Sequence, residues 1–384
     1  MSTIPKFRIF GLDFLRALAI SLVVISHITY LLNLNESSIL VTFIRTLGAI
    51  GVDIFFVLSG FLIGGIILKR IIAGKTNFKD LFDFWKRRWL RTLPNYFLIL
   101  ILNIIVFYAF HEVFEKRLVN YFFFIQNFNT VHPNFFTEAW SLSIEEYAYL
   151  VLPFLLYLSF YIFNIQKKEK FFFWITIVTL LIMVVLKILF FYSINFNSYK
   201  EWSSLYRKVV IYRMDAIYIG FIFVYLMKKF TAFFQKYRQN LFVAGILVFA
   251  LLHLIIYTFN LKPEIHSGFY IFIYLQVLIM SIGLTFPFFY HLKYHGYFLK
   301  SIEFISVHSY SIYLVNYSLI LIPMQELIDL TSLSLIGKMG IVFMFLGITL
   351  IISRVVYVGF ERPILIFRDK RYLRVQSSQS SQSF

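Results

Sequence analysis

Stretches of about twenty predominantly apolar residues recur ten times along this chain, at 11–32, 47–68, 94–112, 143–163, 171–193, 208–227, 240–260, 268–290, 305–325 and 336–358. At 1.5 Å per residue, each is long enough to cross the roughly 30 Å hydrocarbon core of a bilayer. In lipid a spanning backbone must satisfy its own hydrogen bonds, so runs of this length fold as helices. The expectation is an all-α, multi-pass integral membrane protein of about ten transmembrane helices. Residues 1–372 read as one membrane domain with no appended globular domain. Residues 373–384, which end in QSSQSSQSF, read as a disordered low-complexity tail. The first apolar segment is too long for a cleaved signal peptide, carries charges and lacks a small-residue cleavage site. Only 14% of the 384 residues are charged, well below the share in a soluble domain. Cysteine is absent, which excludes disulfides, zinc–thiolate sites and a cysteine nucleophile.

A net charge of +17 is compatible with a nucleic-acid partner, but the placement of the basic residues argues against one. With the N-terminus inside, most Lys and Arg fall in segments on the cytoplasmic side, which puts both termini in the cytoplasm. The basicity therefore reads as topology and contact with anionic lipid. The segment 69–93 reads as a cytoplasmic loop. Its Trp85 and Trp89 mark the membrane interface, and Pro94 opens the third span. No internal repeat is visible, which weighs against a transporter built from two halves.

Ionisable residues inside these spans are costly and therefore informative. Arg16 and His27 lie eleven residues apart in LDFLRALAISLVVISH. Eleven steps of 100° return to within about 20°, so both point from one helix face, roughly 16 Å apart along the axis. His27 falls in the outer half of the membrane, where a neutral imidazole can accept a hydroxyl proton. Asp13, one turn before Arg16, is placed to pair with it. Glu145 and Glu146 open the fourth span at a depth matching His27, where a carboxylate would fix the imidazole tautomer. Arg88 and Arg91, a turn apart, face the cytoplasm; charge alone reads them as a positive-inside anchor. Gly60 and Gly64 form a GxxxG pattern that reads as helix packing. His291 and His295 have ligand-like spacing but no acid nearby, so no metal site is expected.

LDFLRALAISLVVISH, GVDIFFVLSGFLI (51–63), RRWLRTLPNYF (87–97), WSLSIEEYAYL (140–150), SYSIYLVNYSL (309–319) and FERP (360–363) together resemble the acyltransferase type-3 family. The resemblance runs in order across nearly the whole chain. It implies a multi-span enzyme of a bacterial inner (plasma) membrane that acylates, most often O-acetylates, sugars of surface polysaccharides and glycolipids. The implied donor substrate is an acyl-CoA, acetyl-CoA by default, and the implied acceptor a glycan or glycolipid. By this likeness His27 and Glu145 are the catalytic pair, and Arg16, Arg88 and Arg91 bind the donor, the last two gripping its phosphates. Asp53 matches the family's acidic position in span two and Arg213 an arginine in span six; with Asp13 and Asn316 they are candidate site-lining residues. Asn316 stands where many members carry a histidine, which concentrates the proton chemistry on His27 because an amide is no base near neutral pH. Direct transfer and an acyl-enzyme on His27 both fit these residues. A transporter or flippase, whose buried charges line a path, is the alternative function.

Overall fold

A computed structural model describes residues 8–35, 38–330 and 333–369. The low-complexity tail lies outside them. Ten helices are long and apolar enough to cross a membrane: α1 (Phe10–Leu31), α2 (Ile39–Ile72), α3 (Phe78–His111), α4 (Ala139–Ile162), α5 (Lys168–Ser193), α6 (Val210–Lys229), α7 (Arg238–Thr258), α8 (Ser267–His291), α9 (Leu299–Leu327) and α10 (Leu335–Asp369). Among the described residues there is no strand. Every predicted span is a helix, with edges displaced by a few residues except at α2, α3, α9 and α10.

The centre of the bundle is α2, 72% buried along its apolar window, whereas α7 is 11% buried and presents most of its surface outward. The α2 helix packs most extensively on α1 and α6, and α1 packs in turn on α9. Small residues allow this. A methyl added at Gly60 would come within 1.9 Å of the Ile217 carbonyl oxygen, and one at Gly220 within 2.4 Å of that of Val57. The GxxxG pattern of α2 therefore meets α6 backbone to backbone.

The segment 69–93 is not a loop. The α2 helix continues to Ile72 and α3 begins at Phe78, with the carboxylate of Asp80 accepting from the Asn77 backbone N–H at 3.2 Å. Pro94 thus lies well inside α3 and does not open a span. The hydropathy pattern misses these turns because charges interrupt it. They stay helical because one face is apolar and buried, through Leu81, Phe84 and Trp85. Trp85 packs inside the protein: its Nε1 donates to the Tyr149 carbonyl on α4 at 2.9 Å, and its ring stacks on Trp89.

Within α9, residues Asn316–Leu321 form a π-helical turn. Such turns shift the register of a helix and often accompany functional sites.

Candidate active site

A cavity of about 480 Å³ runs between α1, α2, α3, α4, α9 and α10. Arg8, Arg16, Arg88, Arg91 and Arg368 line it, against the carboxylates of Asp13, Glu145 and Glu361. Phe55, Ser141 and Tyr313 also line it. A second cavity of about 430 Å³ shares Arg88 and Arg91, and adds Lys69, Arg70, Lys75 and Arg87 with no carboxylate in its wall. The two Arg residues of α3 therefore stand between a mixed-charge chamber and a purely cationic one.

Asp13 is the hub at the start of α1. It accepts from Arg8 Nε at 2.9 Å, Arg16 Nη1 at 3.0 Å and Ser306 Oγ at 2.8 Å. The expected pairing with Arg16 is present and is shared with a second arginine.

Glu145 faces this cavity. Its Oε2 accepts from Arg88 Nη2 at 3.1 Å and from the Tyr149 hydroxyl at 3.0 Å, and its Oε1 from Ser59 Oγ at 3.1 Å. The guanidinium of Arg88 also lies over the Tyr149 ring, 4.4 Å from its centroid. Glu145 is thus joined to an arginine expected to bind the donor and not to His27. The cause is the inward reach of α3: as part of a long spanning helix, Arg88 sits deep enough to meet the carboxylate. Glu146, the next residue, also meets α3 and accepts from Thr92 Oγ1 at 3.0 Å. Arg91 lines both cavities without an ion-pair partner among the described residues.

His27 is held from α9. Its Nδ1 is hydrogen-bonded to Asn316 Oδ1, and its ring packs on that of Tyr317 with centroids 4.7 Å apart. The Asn316 amide is itself oriented, because its Nδ2 donates to the carbonyls of Ile312 at 2.8 Å and Tyr313 at 2.9 Å. Carbonyls only accept, so the amide cannot flip and Oδ1 must face the imidazole. Nδ1 therefore carries the proton, which leaves Nε2 as the basic nitrogen. The orienting group that motif reading assigned to Glu145 is, in this geometry, Asn316.

One buried carboxylate in this region stands outside every matched motif. Glu138 precedes the first turn of α4 and is 3% exposed. Its Oε1 accepts from the backbone N–H of Ser318 at 2.7 Å and of Tyr317 at 3.2 Å, and its Oε2 from the Ser318 hydroxyl. Burial pushes its carboxyl up to about 7, against the lowering effect of the Ser318 hydrogen bonds. Its only signal in the sequence is an acid at the edge of an apolar run.

Asp53 and Arg213 do not line the cavity. They pair with each other at 2.5 Å, fully buried, and Arg213 extends to Asp215 at 3.5 Å. Lys187 of α5 and Gln276 of α8 complete the cluster on Asp215. Two cations and two anions balance there and tie α2, α5, α6 and α8 together. Among the described residues no group of His, Asp and Glu is placed to hold a metal.

A family model described as an acyltransferase domain matches residues 9–358. The chain belongs to that acyltransferase family. It is 27% identical over 378 residues to a Bacillus subtilis (strain 168) protein, YrhL, whose name as a peptidoglycan O-acetyltransferase is provisional; the match covers 92% of this chain and 54% of that one. It is 26% identical over 333 residues to the O-acetyltransferase OatA of Staphylococcus aureus (strain NCTC 8325 / PS 47), covering 81% of this chain and 50% of that one. The chain thus spans about half the length of the curated relatives it matches. No solved structure matches. Family membership agrees with the order of the motifs and with a bundle of membrane-spanning helices.

Proposed function

We propose that this chain is a membrane O-acetyltransferase, which moves an acetyl group from acetyl-CoA to a sugar hydroxyl of a surface polysaccharide or glycolipid. Peptidoglycan is the acceptor suggested by the name of the Bacillus subtilis relative. The observation that carries the reading is the His27–Asn316 pair beside an arginine-lined cavity whose wall neither residue forms. Tyr313, which lines that cavity, is one helical turn from Asn316.

In this reading the cationic chamber and the adjoining Arg88 and Arg91 take the donor's phosphates, since guanidiniums bind phosphate oxygens in pairs. The donor arm follows the chamber past Arg16 towards Tyr313. His27 Nε2 removes the proton of the acceptor hydroxyl as its oxygen attacks the thioester carbonyl. Asn316 holds the imidazole in the required tautomer and stabilises the imidazolium as it forms. The proton then passes to the departing thiolate, so hydroxyl and thioester become ester and thiol. The orientation that fits is donor side inside and His27 towards the outer face, in a bacterial inner membrane.

The test is turnover of radiolabelled acetyl-CoA by the purified protein with peptidoglycan fragments as acceptor, read as labelled ester and free thiol. His27→Ala is expected to lower turnover by about 100-fold or more, in the range of lost general-base catalysis. Wild-type turnover by His27→Ala would sink the proposal.

A further inference from the structure

We propose that Glu138 is a positioning residue for His27, acting through the π-helical turn of α9. The inference rests on the reading that His27 carries the chemistry. Glu138 itself neither lines the cavity nor touches the imidazole. Its leverage comes from where α9 changes its hydrogen bonding.

In an unbroken α-helix the N–H of Tyr317 would bond the carbonyl of Tyr313. Here the Asn316 side chain donates to that carbonyl and to that of Ile312, and the π turn begins at Asn316. Side-chain amides that compete in this way weaken the local helix. Glu138 supplies the compensation, because it accepts the backbone N–H groups of the next two residues, Tyr317 and Ser318. The Ser318 hydroxyl donates to the same carboxylate and accepts from the Thr137 N–H at 2.9 Å. The loop before α4 is thereby fastened to the residues that follow Asn316.

Those residues form two sides of the His27 environment: Asn316 bonds its edge and the Tyr317 ring packs against it, tilted by 53°. A shift of the turn would move both together. No cation among the described residues lies within ion-pair distance of Glu138. A buried carboxylate without a counter-ion is costly, and its hydrogen bonds here all go to this turn and to its own helix end.

The experiment measures kcat and donor KM for Glu138→Gln, Ser318→Ala, Asn316→Ala and the Glu138→Gln/Asn316→Ala double variant, each checked for wild-type elution and melting temperature in detergent. Glu138→Gln keeps the shape and one acceptor oxygen. Its kcat is expected to fall about tenfold with donor KM unchanged, the scale of a sub-ångström misplacement of a catalytic group. Ser318→Ala, which removes one contact, is expected to lose a smaller factor in kcat alone. In the Asn316→Ala background, Glu138→Gln should cost nothing further, because its effect passes through that amide. Wild-type kcat in a folded Glu138→Gln protein, a donor KM that rises with the loss, or losses that multiply in the double variant would each overturn the proposal. If Glu138→Gln does not fold, Ser318→Ala decides by the same split. Full turnover by His27→Ala would instead defeat the functional reading, whereas an inactive His27→Ala beside a fully active Glu138→Gln would defeat this inference alone.

Discussion

Asn316 does two jobs with one amide, donating to its own helix and accepting from His27. Aspartate at this position could not donate to the two carbonyls and would face them with negative charge, so the neutral amide suits the site better than the acid that usually orients a catalytic imidazole. Asn316→Ala is expected to lower kcat by about 100-fold and leave donor KM unchanged, measured as steady-state thiol release. Glu145 makes the opposite prediction. It bonds Arg88, Tyr149 and Ser59, so Glu145→Gln should raise donor KM about tenfold and leave the pH dependence of kcat as it was. An altered kcat–pH profile in Glu145→Gln would place this carboxylate back in the proton chemistry.

At the level of elements, the bundle depends on places where backbones touch. The closest approach of α2 to α6 is at Gly60 and Gly220, and Gly11 of α1 meets α8 with only 1.8 Å between an added methyl and the Phe289 carbonyl oxygen. Gly60→Ala would force α2 and α6 apart at a cost of about 1–3 kcal/mol, seen as a lower melting temperature in detergent. Gly347→Ala on α10, where an added methyl meets nothing within 4 Å, should leave the melting temperature unchanged. The long α3 follows the same logic in charge. Its Arg88 is tolerated deep in the bundle because Glu145 and the Tyr149 ring receive it.

For the whole molecule, the proposed orientation puts the turn between α2 and α3 on the cytoplasmic side and the connection between α3 and α4 outside. The chain has no cysteine, so single introduced thiols report on sidedness without a background. Lys75 and Lys116 are both exposed and lie in these two connections. A membrane-impermeant maleimide should label Lys116→Cys in intact cells and Lys75→Cys only after the cytoplasm is opened. The reverse pattern would invert the donor and acceptor sides. The buried cluster of Asp53, Arg213, Asp215 and Lys187 acts at this scale too: it joins four helices with balanced charge, and Asp53→Asn should destabilise the fold by about 3–5 kcal/mol, read as thermal inactivation, by leaving Arg213 under-compensated.

Local sequence was enough to determine the ten helices, the absence of thiol chemistry and the ordered motifs of the family, because hydropathy over twenty residues and residue identity are local properties. It also placed Arg16 beside Asp13, since a spacing of three fixes neighbours on a helix. It did not show that α3 begins at Phe78, because charges interrupt the hydropathy pattern there while Leu81, Phe84 and Trp85 bury one face of the helix against the rest of the bundle. Nor did it show which partner each charged group meets. Glu145 and His27 share a predicted depth, yet depth along an axis says nothing of rotation or of which helices adjoin. Only the packing of α1, α3, α4 and α9 decided that Arg88 takes Glu145, that Asp53 and Arg213 take each other, and that His27 is left to Asn316, on a turn fastened by a glutamate no motif contains.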